Sequence, residues 1–566
     1  MYNNFPATTE ALLKWTWADM EPYYKDLQGR ELTADNVNQW LKDWSTLSRN
    51  IYEIQFRLEV MTIVNTTDQE AENLYKDFFD HIFTNMQAAE NALKQKLLAS
   101  RLEPKGFEIS LRNMRAEADL FRDENLPLLA DEQKILLEYD KIMGAQTVQW
   151  DGEEKTISQM YPIQLEKDRD KREKAFRLVV ERQFADFEQL GDVWTKVMPL
   201  RKQIADHAGK PDYRAYMWQQ KLRFDYTPED AKAFHNAIEE VVVPAATRVR
   251  ERHRQRLGID SIRPWDTEVD TLGDEPIRPF KTMDELIAGT RRIFDKVDPE
   301  LGKHFQTMNE EKLLDLDNRK SKAPGGYCTI FPVTHRPFIF MNSVGTHADV
   351  ETLLHEGGHS FHVFETAGIE LFQNINTPME FNEVASMAME LLSSRHLIDS
   401  GMYTEAEAAR AQIKHLETNI LFWPYMAVVD SFQHWIYENH ELATDPVKIS
   451  EKWAEIFDRF MVGLDWSGLE KYKAVRWQRQ LHIYKFPLYY VEYGLAQLGA
   501  AQVWANSLSD YAGTVQAYRK ALSLGSTVTL PELFSTAKAK FAFDAGTLKR
   551  SVDLMEQTIV ELESKL

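Results

Sequence analysis

The sequence predicts a mainly helical protein with a small β-sheet. Apolar residues recur at the spacing of amphipathic helices, as in Ile51, Ile54, Leu58 and Met61. The β-branched and aromatic residues that favour strands are concentrated in a short segment that ends at Gly345. No repeat of fixed period is found, which disfavours a solenoid.

One helix has clear boundaries in the sequence. Thr227 is a suitable N-cap, Pro228 stands in the first turn, and acidic residues follow near the positive end of the helix dipole. We expect this helix to continue to Gly258. Gly and Pro residues then recur as far as Lys281, which predicts a long loop.

Two β-hairpins are expected. Two strand-like runs, Tyr327–Val333 and Pro337–Ser343, are separated by three residues and immediately precede a histidine-rich segment. A weaker signal is the stretch VQWDGEEKTI, in which Asp151 and Gly152 are suited to a tight turn. A small sheet therefore stands next to the histidine-rich segment in the chain.

Composition limits the possible partners and locations. At 566 residues the chain has room for two or three lobes, and its net charge of -21 argues against a nucleic-acid partner. The single cysteine, Cys328, cannot form an internal disulfide. Neither a signal-peptide pattern nor an apolar run of about 20 residues is present. We therefore expect a cytoplasmic protein that does not associate with membranes.

The stretch LLHEGGHSFH carries a possible metal site. His355 and His359 are four residues apart, and Glu356 is adjacent to the first. On a helix both imidazoles lie on one face and can bind one zinc ion, beside which Glu356 can accept a proton from the activated water. The bare pattern also occurs by accident in ordinary helices.

A catalytic zinc ion needs a third protein ligand. Position 365 is Glu365, which argues against the metzincin arrangement of three histidines. The segment MEFNEVASMAMELL offers Glu380, Glu383 and Glu390, of which the last two are seven residues apart and share a helical face. Spacing alone does not choose among the three.

Two adjacent glycines interrupt the expected helix. Gly357 and Gly358 each cost about 1 kcal/mol relative to alanine in a helix interior. Their presence predicts that a neighbouring helix or a substrate approaches the backbone closely at this point. The alternative is that the helix begins later or frays.

The motifs in combination resemble those of a known family. HEGGH at residues 355–359 with EVAS at 383–386 is similar to the thimet oligopeptidase and oligoendopeptidase F superfamily of zinc peptidases, and within it to the bacterial oligoendopeptidase F and Pz-peptidase branch. DVETL at 349–353, RPWD at 263–266 and HIYKFPLYYVEYGLA at 482–496 resemble further family segments. Position 357 departs from the pattern, since many members carry a larger residue there.

The resemblance implies a fold and a cofactor. The fold is mainly α, with two helical lobes around a deep substrate channel and a small β-sheet next to the zinc helix. An N-terminal helical lobe, residues 1–190, precedes a zinc-peptidase catalytic domain, residues 191–566. His355, His359 and Glu383 bind one Zn²⁺ per chain. Short unstructured peptides enter the channel, and the oligomeric state is left open.

The resemblance also implies catalytic roles. Glu356 activates the attacking water, and His482, Tyr490 and Tyr493 donate hydrogen bonds to the bound peptide or to the developing oxyanion. Tyr489 is expected to contact the substrate. The alternative for these tyrosines is that they are packed core aromatics at helical spacing.

The hairpin before the zinc motif has an expected role in substrate binding. An extended peptide can pair with an exposed strand edge through main-chain hydrogen bonds. We assign this edge to Pro337–Ser343, with Phe340 and Asn342 as substrate contacts. Gly325 and Gly326 form a loop that can approach the substrate backbone. The alternative is a hairpin that only covers the zinc helix.

The sequence therefore predicts a zinc-dependent endopeptidase that hydrolyses internal bonds of short oligopeptides. One alternative is a zinc carboxypeptidase of related helical fold, and another is a non-catalytic helical peptide-binding protein. Cys328 is expected to be a buried strand residue rather than a nucleophile. His362 is expected to be packed or solvated rather than a ligand.

Overall fold

The computed structural model describes residue 2 and residues 5–273 and 275–566. Within these ranges the protein is mainly helical with two small sheets, which confirms the expected fold class. None of the described helices combines the length and the apolar character that crossing a membrane would require.

The helices, numbered in chain order, are α1 Thr9–Leu12, α2 Trp17–Gly29, α3 Val37–Val64, α4 Gln69–Asp77, α5 Thr84–Ser100, α6 Glu108–Leu120, α7 Asn125–Gly144, α8 Ile157–Gln164, α9 Arg169–Ala185, α10 Phe187–His207, α11 Tyr213–Gln220, α12 Pro228–Leu257, α13 Met283–Val297, α14 Pro299–Glu310, α15 His347–Glu365, α16 Met379–Ser394, α17 Glu405–Glu438, α18 Pro446–Phe460, α19 Glu470–Ala474, α20 Leu481–Lys485, α21 Tyr490–Ser507, α22 Tyr511–Leu522, α23 Leu530–Thr536 and α24 Ala545–Glu563. A π-helical stretch, Phe78–Phe83, joins α4 to α5. The strands are β1 Thr147–Trp150, β2 Glu153–Thr156, β3 Leu314–Asp317, β4 Tyr327–Phe331 and β5 Arg336–Ser343.

The chain forms two compact units, and each is assembled from separate stretches of sequence. The first unit comprises Met1–Ala118, Ile277–Ala408 and Gly499–Phe541. The second comprises Asp119–Pro276, Ala409–Leu498 and Ala542–Leu566. These are units of packing, whereas the expected division at residue 190 separates functional domains. That division and the substrate channel stay predictions.

Helix α12 follows its sequence signals closely. The Thr227 hydroxyl accepts a hydrogen bond from the Asp230 backbone N–H at 3.2 Å, and the Asp230 carboxylate accepts one from the Thr227 N–H at 2.8 Å. These reciprocal bonds satisfy two N–H groups at the start of the helix. Gly258 ends the helix with a φ of +64°, a left-handed conformation that favours glycine. The predicted start and end are both confirmed.

Both expected hairpins are present. Strands β1 and β2 pair antiparallel, and both turn residues have positive φ, +51° at Asp151 and +85° at Gly152. Strands β4 and β5 pair antiparallel, with Tyr327 opposite Phe340 and Phe331 opposite Arg336. The alternation of turn residues and β-formers was therefore sufficient to locate both.

The position of the second hairpin within its sheet corrects one expectation. The strand order is β3-β5-β4, so β5 is the central strand and β4 is an edge strand. The assignment of the exposed edge to Pro337–Ser343 was wrong, because β3 pairs in parallel with β5 on its other side, with Leu314 opposite Ile339. Strand β3 was not among the strands predicted from the sequence.

The first unit has its own hydrophobic core around α3. This core includes the fully buried side chains of Trp40 and Trp44, whose ring centroids lie 5.2 Å apart. Elsewhere in the same unit, α15 packs against α16 and against both strands of the second hairpin. The histidine motif is therefore held between a helix and a sheet.

Candidate metal centre

The histidine motif lies on a well-defined helix. At the N-terminus of α15 the Asp349 carboxylate accepts hydrogen bonds from the backbone N–H groups of Val344 at 2.9 Å and Thr346 at 2.7 Å. Such a cap fixes where the helix begins. One turn apart on this helix, the rings of His355 and His359 have centroids 5.0 Å apart. The expectation that both imidazoles share one face is confirmed.

Helix α16 brings a carboxylate to these two rings. Glu383 Oε2 lies 3.5 Å from His355 Nε2 and 3.8 Å from His359 Nε2. Ligand atoms of the three residues lie within 4.8 Å of one another, close enough for one ion. Among the three glutamates on this helix, Glu383 is therefore the one that completes a two-histidine, one-carboxylate set. This set suits a zinc site with one open position.

A second carboxylate of α16 fixes the orientation of one imidazole. Glu390 Oε1 lies 2.6 Å from His355 Nδ1, and the ring donates to it from that nitrogen. His355 Nε2 then faces Glu383. Burial alone would lower the pKa of His355, but the hydrogen bond to Glu390 and the nearby negative charges raise it to about 9. Such outer carboxylates commonly hold metal-binding histidines in one tautomer.

His359 and His362 differ from His355 because no carboxylate offsets their burial as strongly. Burial, together with the charge of His355, lowers the pKa of His359 to about 3, so the ring is neutral and able to bind a metal. Burial lowers the pKa of His362 to about 4. His362 is only 8 % exposed and is not among the clustered ligands, in agreement with its expected packed state.

Glu356 is positioned as a proton acceptor. Its side chain is 7 % exposed, and within the described part of the chain Oε2 has no hydrogen-bond partner. Burial is the main cause that raises the pKa of this carboxyl to about 7, although His355 opposes the shift. The nearby backbone amide of Cys328 also opposes the rise and favours the ionised carboxylate. A pKa near neutrality suits a general base.

The two glycines are explained by close packing on both sides of α15. A Cβ on Gly357 would lie 2.5 Å from the Phe294 ring. A Cβ on Gly358 would overlap the Ala385 carbonyl oxygen and lie 2.6 Å from the Ser386 Cα. The expected close approach of a neighbouring helix is confirmed. This close packing brings α16, which carries Glu383, next to His355 and His359.

We expect Gly358→Ala to destabilise the protein by at least about 2 kcal/mol, because the methyl group meets α16 backbone that cannot rotate away. Thermal unfolding of the metal-free variant measures the loss of stability. Gly368→Ala is the control, since a Cβ there would meet no atom within 4 Å. Equal melting temperatures for the two variants would contradict the packing argument.

The side chain of Cys328 contacts helix α15. Its Sγ lies 3.3 Å from Ser360 Oγ, and burial raises the pKa of the thiol to about 12. A thiol with this pKa carries negligible thiolate at neutral pH. Cys328 is a strand residue as expected, but it is half-buried rather than buried. Its environment agrees with the expectation that it is not a nucleophile.

The aromatic segment predicted to aid catalysis lies in the second unit, where it forms a cluster. The ring centroid of His482 lies 4.7 Å from that of Tyr490 and 5.9 Å from that of Tyr489. Tyr493 lies 5.1 Å from Tyr489 and 5.8 Å from Tyr490. His482 Nδ1 is 2.9 Å from Gln480 Nε2. The sequence therefore identified residues that contact one another, and their catalytic roles stay predictions.

The residues expected to contact substrate have internal contacts. Asn342 Nδ2 donates to the carbonyl oxygens of Ala323 and Gly325, both at 2.9 Å, and so holds the loop before β4. Gly325 has a φ of +102°, which favours glycine, and a Cβ on Gly326 would lie 3.3 Å from the Phe340 carbonyl oxygen. The Phe340 side chain is buried. Their contacts with substrate stay predictions.

Comparison with known proteins identifies the family. The model of peptidase family M3 matches residues 163–552, a region that contains the histidine motif, the Glu383 helix and the aromatic cluster. The chain belongs to peptidase family M3. An oligoendopeptidase F homolog of Mycoplasma pneumoniae is 22% identical over 92% of this chain and 87% of its own length.

Solved structures agree with this membership. The M3 peptidase described here is similar to Pz peptidase A, solved with an inhibitor, at 27% identity and a TM-score of 0.84 over all of both chains. Oligoendopeptidase F of Enterococcus faecium shares the fold, with a TM-score of 0.62 and 14% identity over 97% of this chain and 98% of that one. The superfamily and branch inferred from the motifs are thus confirmed, and the protein is a peptidase.

Proposed function

We propose that this M3 peptidase is a zinc-dependent endopeptidase that hydrolyses internal bonds of short, unstructured peptides. The observation that carries the proposal is the meeting of His355, His359 and Glu383 beside the buried carboxyl group of Glu356. Two imidazoles and one carboxylate suit zinc and leave a coordination position open. One ion per chain follows from the single group of this kind among the residues that the structure describes.

The residues around the site fit a bound zinc ion. His359 is neutral, His355 is held in a single orientation by Glu390, and the unpartnered oxygen of Glu356 stands beside the ligands. When bound, zinc polarises the scissile carbonyl and lowers the pKa of the attacking water. In its ionised form Glu356 accepts a proton from that water and delivers it to the amine that leaves.

Strand β4 provides a means to bind peptides of any sequence. The Ile339 backbone N–H donates to Leu313 at 3.0 Å, so it points towards β3 and away from β4. Its opposite residue, Cys328, therefore turns its backbone groups outward, as does Ile330 opposite Pro337. An extended peptide that pairs with this edge runs past the backbone of Cys328, which lies near the Glu356 carboxyl group. We propose β4, rather than β5, as the substrate strand.

The aromatic cluster supplies candidate donors for the substrate. By analogy with the family segment, we assign the Tyr490 and Tyr493 hydroxyls to the oxyanion and His482 to the peptide backbone. Burial raises the pKa of Tyr490 well above its ordinary value, so its hydroxyl keeps its proton and can donate. Tyr489 is a further substrate contact in this proposal.

An internally quenched peptide of about ten residues, long enough to pair with a strand edge, tests the proposed function. We expect hydrolysis by the zinc-loaded protein, its loss after chelation and its return when zinc is added. Mass spectrometry of the products then shows whether cleavage is internal. Stepwise loss of C-terminal residues would replace the proposal by a carboxypeptidase. No cleavage by zinc-loaded protein would favour a peptide-binding protein.

A further inference from the structure

The end of strand β4 is attached to helix α3, which belongs to the same unit. Just beyond the strand, the backbone N–H of Val333 donates to Glu53 Oε2 at 2.9 Å. Glu53 is 1 % exposed, and its other oxygen accepts a hydrogen bond from Arg57 Nε at 3.0 Å. A buried carboxylate is costly unless it is paired in this way. The hairpin turn is therefore fixed to α3.

Arg57 makes a second contact with the same strand. Its guanidinium lies over the ring of Phe331, 3.4 Å from the centroid, and Phe331 is the last residue of β4. Phe331 is 1 % exposed, so water is excluded from the ring, whereas the Arg57 side chain keeps 24 % exposure. Such cation–π contacts are strongest where water is excluded. One arginine thus connects the Glu53 carboxylate to the strand itself.

The loop that leads into β4 is attached to the C-terminal end of α3 and to the residues just after it. The Ala323 backbone N–H donates to the Ile63 carbonyl at 2.9 Å, and the Thr66 backbone N–H donates to the Ser321 carbonyl at 2.7 Å. Both contacts lie only a few residues before Tyr327, where the strand begins. Helix α3 and the residues just after it therefore hold strand β4 at two places, before the first residue of the strand and after its last.

We propose that Glu53 and Arg57 are positioning residues for the peptide substrate, which they serve by holding the β4 edge in place beside Glu356. An edge strand has a partner on one side only, so its position depends on what supports it elsewhere. The inference rests on the proposed function, in which peptides pair with β4. Both residues precede residues 163–552, so the region matched by the family model is incomplete for substrate binding without α3.

Peptide affinity of an inactive background tests this independently of turnover. In zinc-loaded Glu356→Gln protein, we expect Glu53→Ala to weaken binding of a fluorescein-labelled ten-residue peptide by about tenfold, measured by fluorescence anisotropy. In the active protein the same substitution should raise KM by a similar factor and change kcat little, because edge hydrogen bonds hold substrate and transition state alike. Glu53→Gln keeps an acceptor for the Val333 N–H and should restore most of the affinity.

Asp43→Ala is the matched control. Asp43 lies on the same helix, is 9 % exposed, pairs with Arg30 at 2.5 Å and accepts a hydrogen bond from Gln39 at 2.9 Å. The Asp43→Ala substitution should lower thermal stability as Glu53→Ala does, yet leave the peptide affinity unchanged. Weakened binding in Asp43→Ala equal to that in Glu53→Ala would overturn the inference, because general destabilisation would then explain both.

A second variant covers the case in which Glu53→Ala does not fold. Arg57→Met leaves the Glu53 bond to Val333 in place but removes both the charge over Phe331 and the hydrogen bond that pairs the buried Glu53 carboxylate. The Arg57 side chain is itself 24 % exposed. We expect about threefold weaker peptide binding, since the Val333 bond remains and only the two contacts of Arg57 are lost. Unchanged affinity in every folded variant would overturn the inference, provided that the parent protein binds and cleaves peptide. A parent that does neither would instead overturn the proposed function.

Discussion

Replacing Glu356 by glutamine is expected to lower kcat for peptide hydrolysis by about 10³-fold, within the range that a positioned proton acceptor contributes. The amide has nearly the same shape, so packing is conserved, but it cannot accept the proton of the attacking water. Because Glu356 is not one of the clustered ligands, zinc content should be unchanged. Hydrolysis of the quenched peptide and elemental analysis of the purified variant measure the two quantities.

Glu365→Gln provides a control on the same helix. Glu365 pairs with Arg519 at 2.6 Å, and it stands six residues beyond His359 at the end of α15. Its loss should affect stability but leave kcat within about twofold, since it touches no group assigned to the reaction. A Glu356→Gln variant that keeps its activity, or that loses its zinc, would contradict the assigned role.

The sequence predicted the histidine geometry because it is local. Once residues 347–365 form a helix, the spacing of His355 and His359 places both on one face. The choice of Glu383 was different, since Glu380, Glu383 and Glu390 are equally consistent with helical spacing. Only the packing of α15 against α16 shows that Glu383 is the candidate ligand and that Glu390 is the partner of His355 Nδ1. The family resemblance supplied that choice before the structure did.

The failure to assign the sheet edge has a similar cause. A hairpin is marked by its turn, but parallel pairing of β3 with β5 joins residues far apart in the chain and leaves no local signal. Strand β3 also has only four residues, Leu-Asp-Leu-Asp, which resemble many exposed segments. The attachment of Val333 to Glu53 was beyond sequence reasoning for the same reason, as 280 residues separate them.

Substitution of Glu383 and of Glu390 on α16 should separate a metal ligand from its support. Glu383→Ala leaves two histidines, and we expect zinc affinity to fall by more than about 100-fold, beyond the 10- to 100-fold range found for outer partners of metal ligands. Activity should then stay absent at any practical zinc concentration. Competition with a chromophoric chelator measures the affinity without reference to turnover.

Glu390→Ala is expected to behave differently because all three clustered ligands remain. Without the carboxylate 2.6 Å from Nδ1, the His355 ring is free to rotate or to change tautomer. Zinc affinity should fall by about 10- to 100-fold, and excess zinc should restore most of the activity. Equal losses in Glu383→Ala and Glu390→Ala, both insensitive to added zinc, would contradict this division of roles. If only Glu390→Ala reduced the zinc affinity, Glu390 would be the third ligand. The site would then have to rearrange when the ion binds, since Glu390 contacts His355 Nδ1 in this structure.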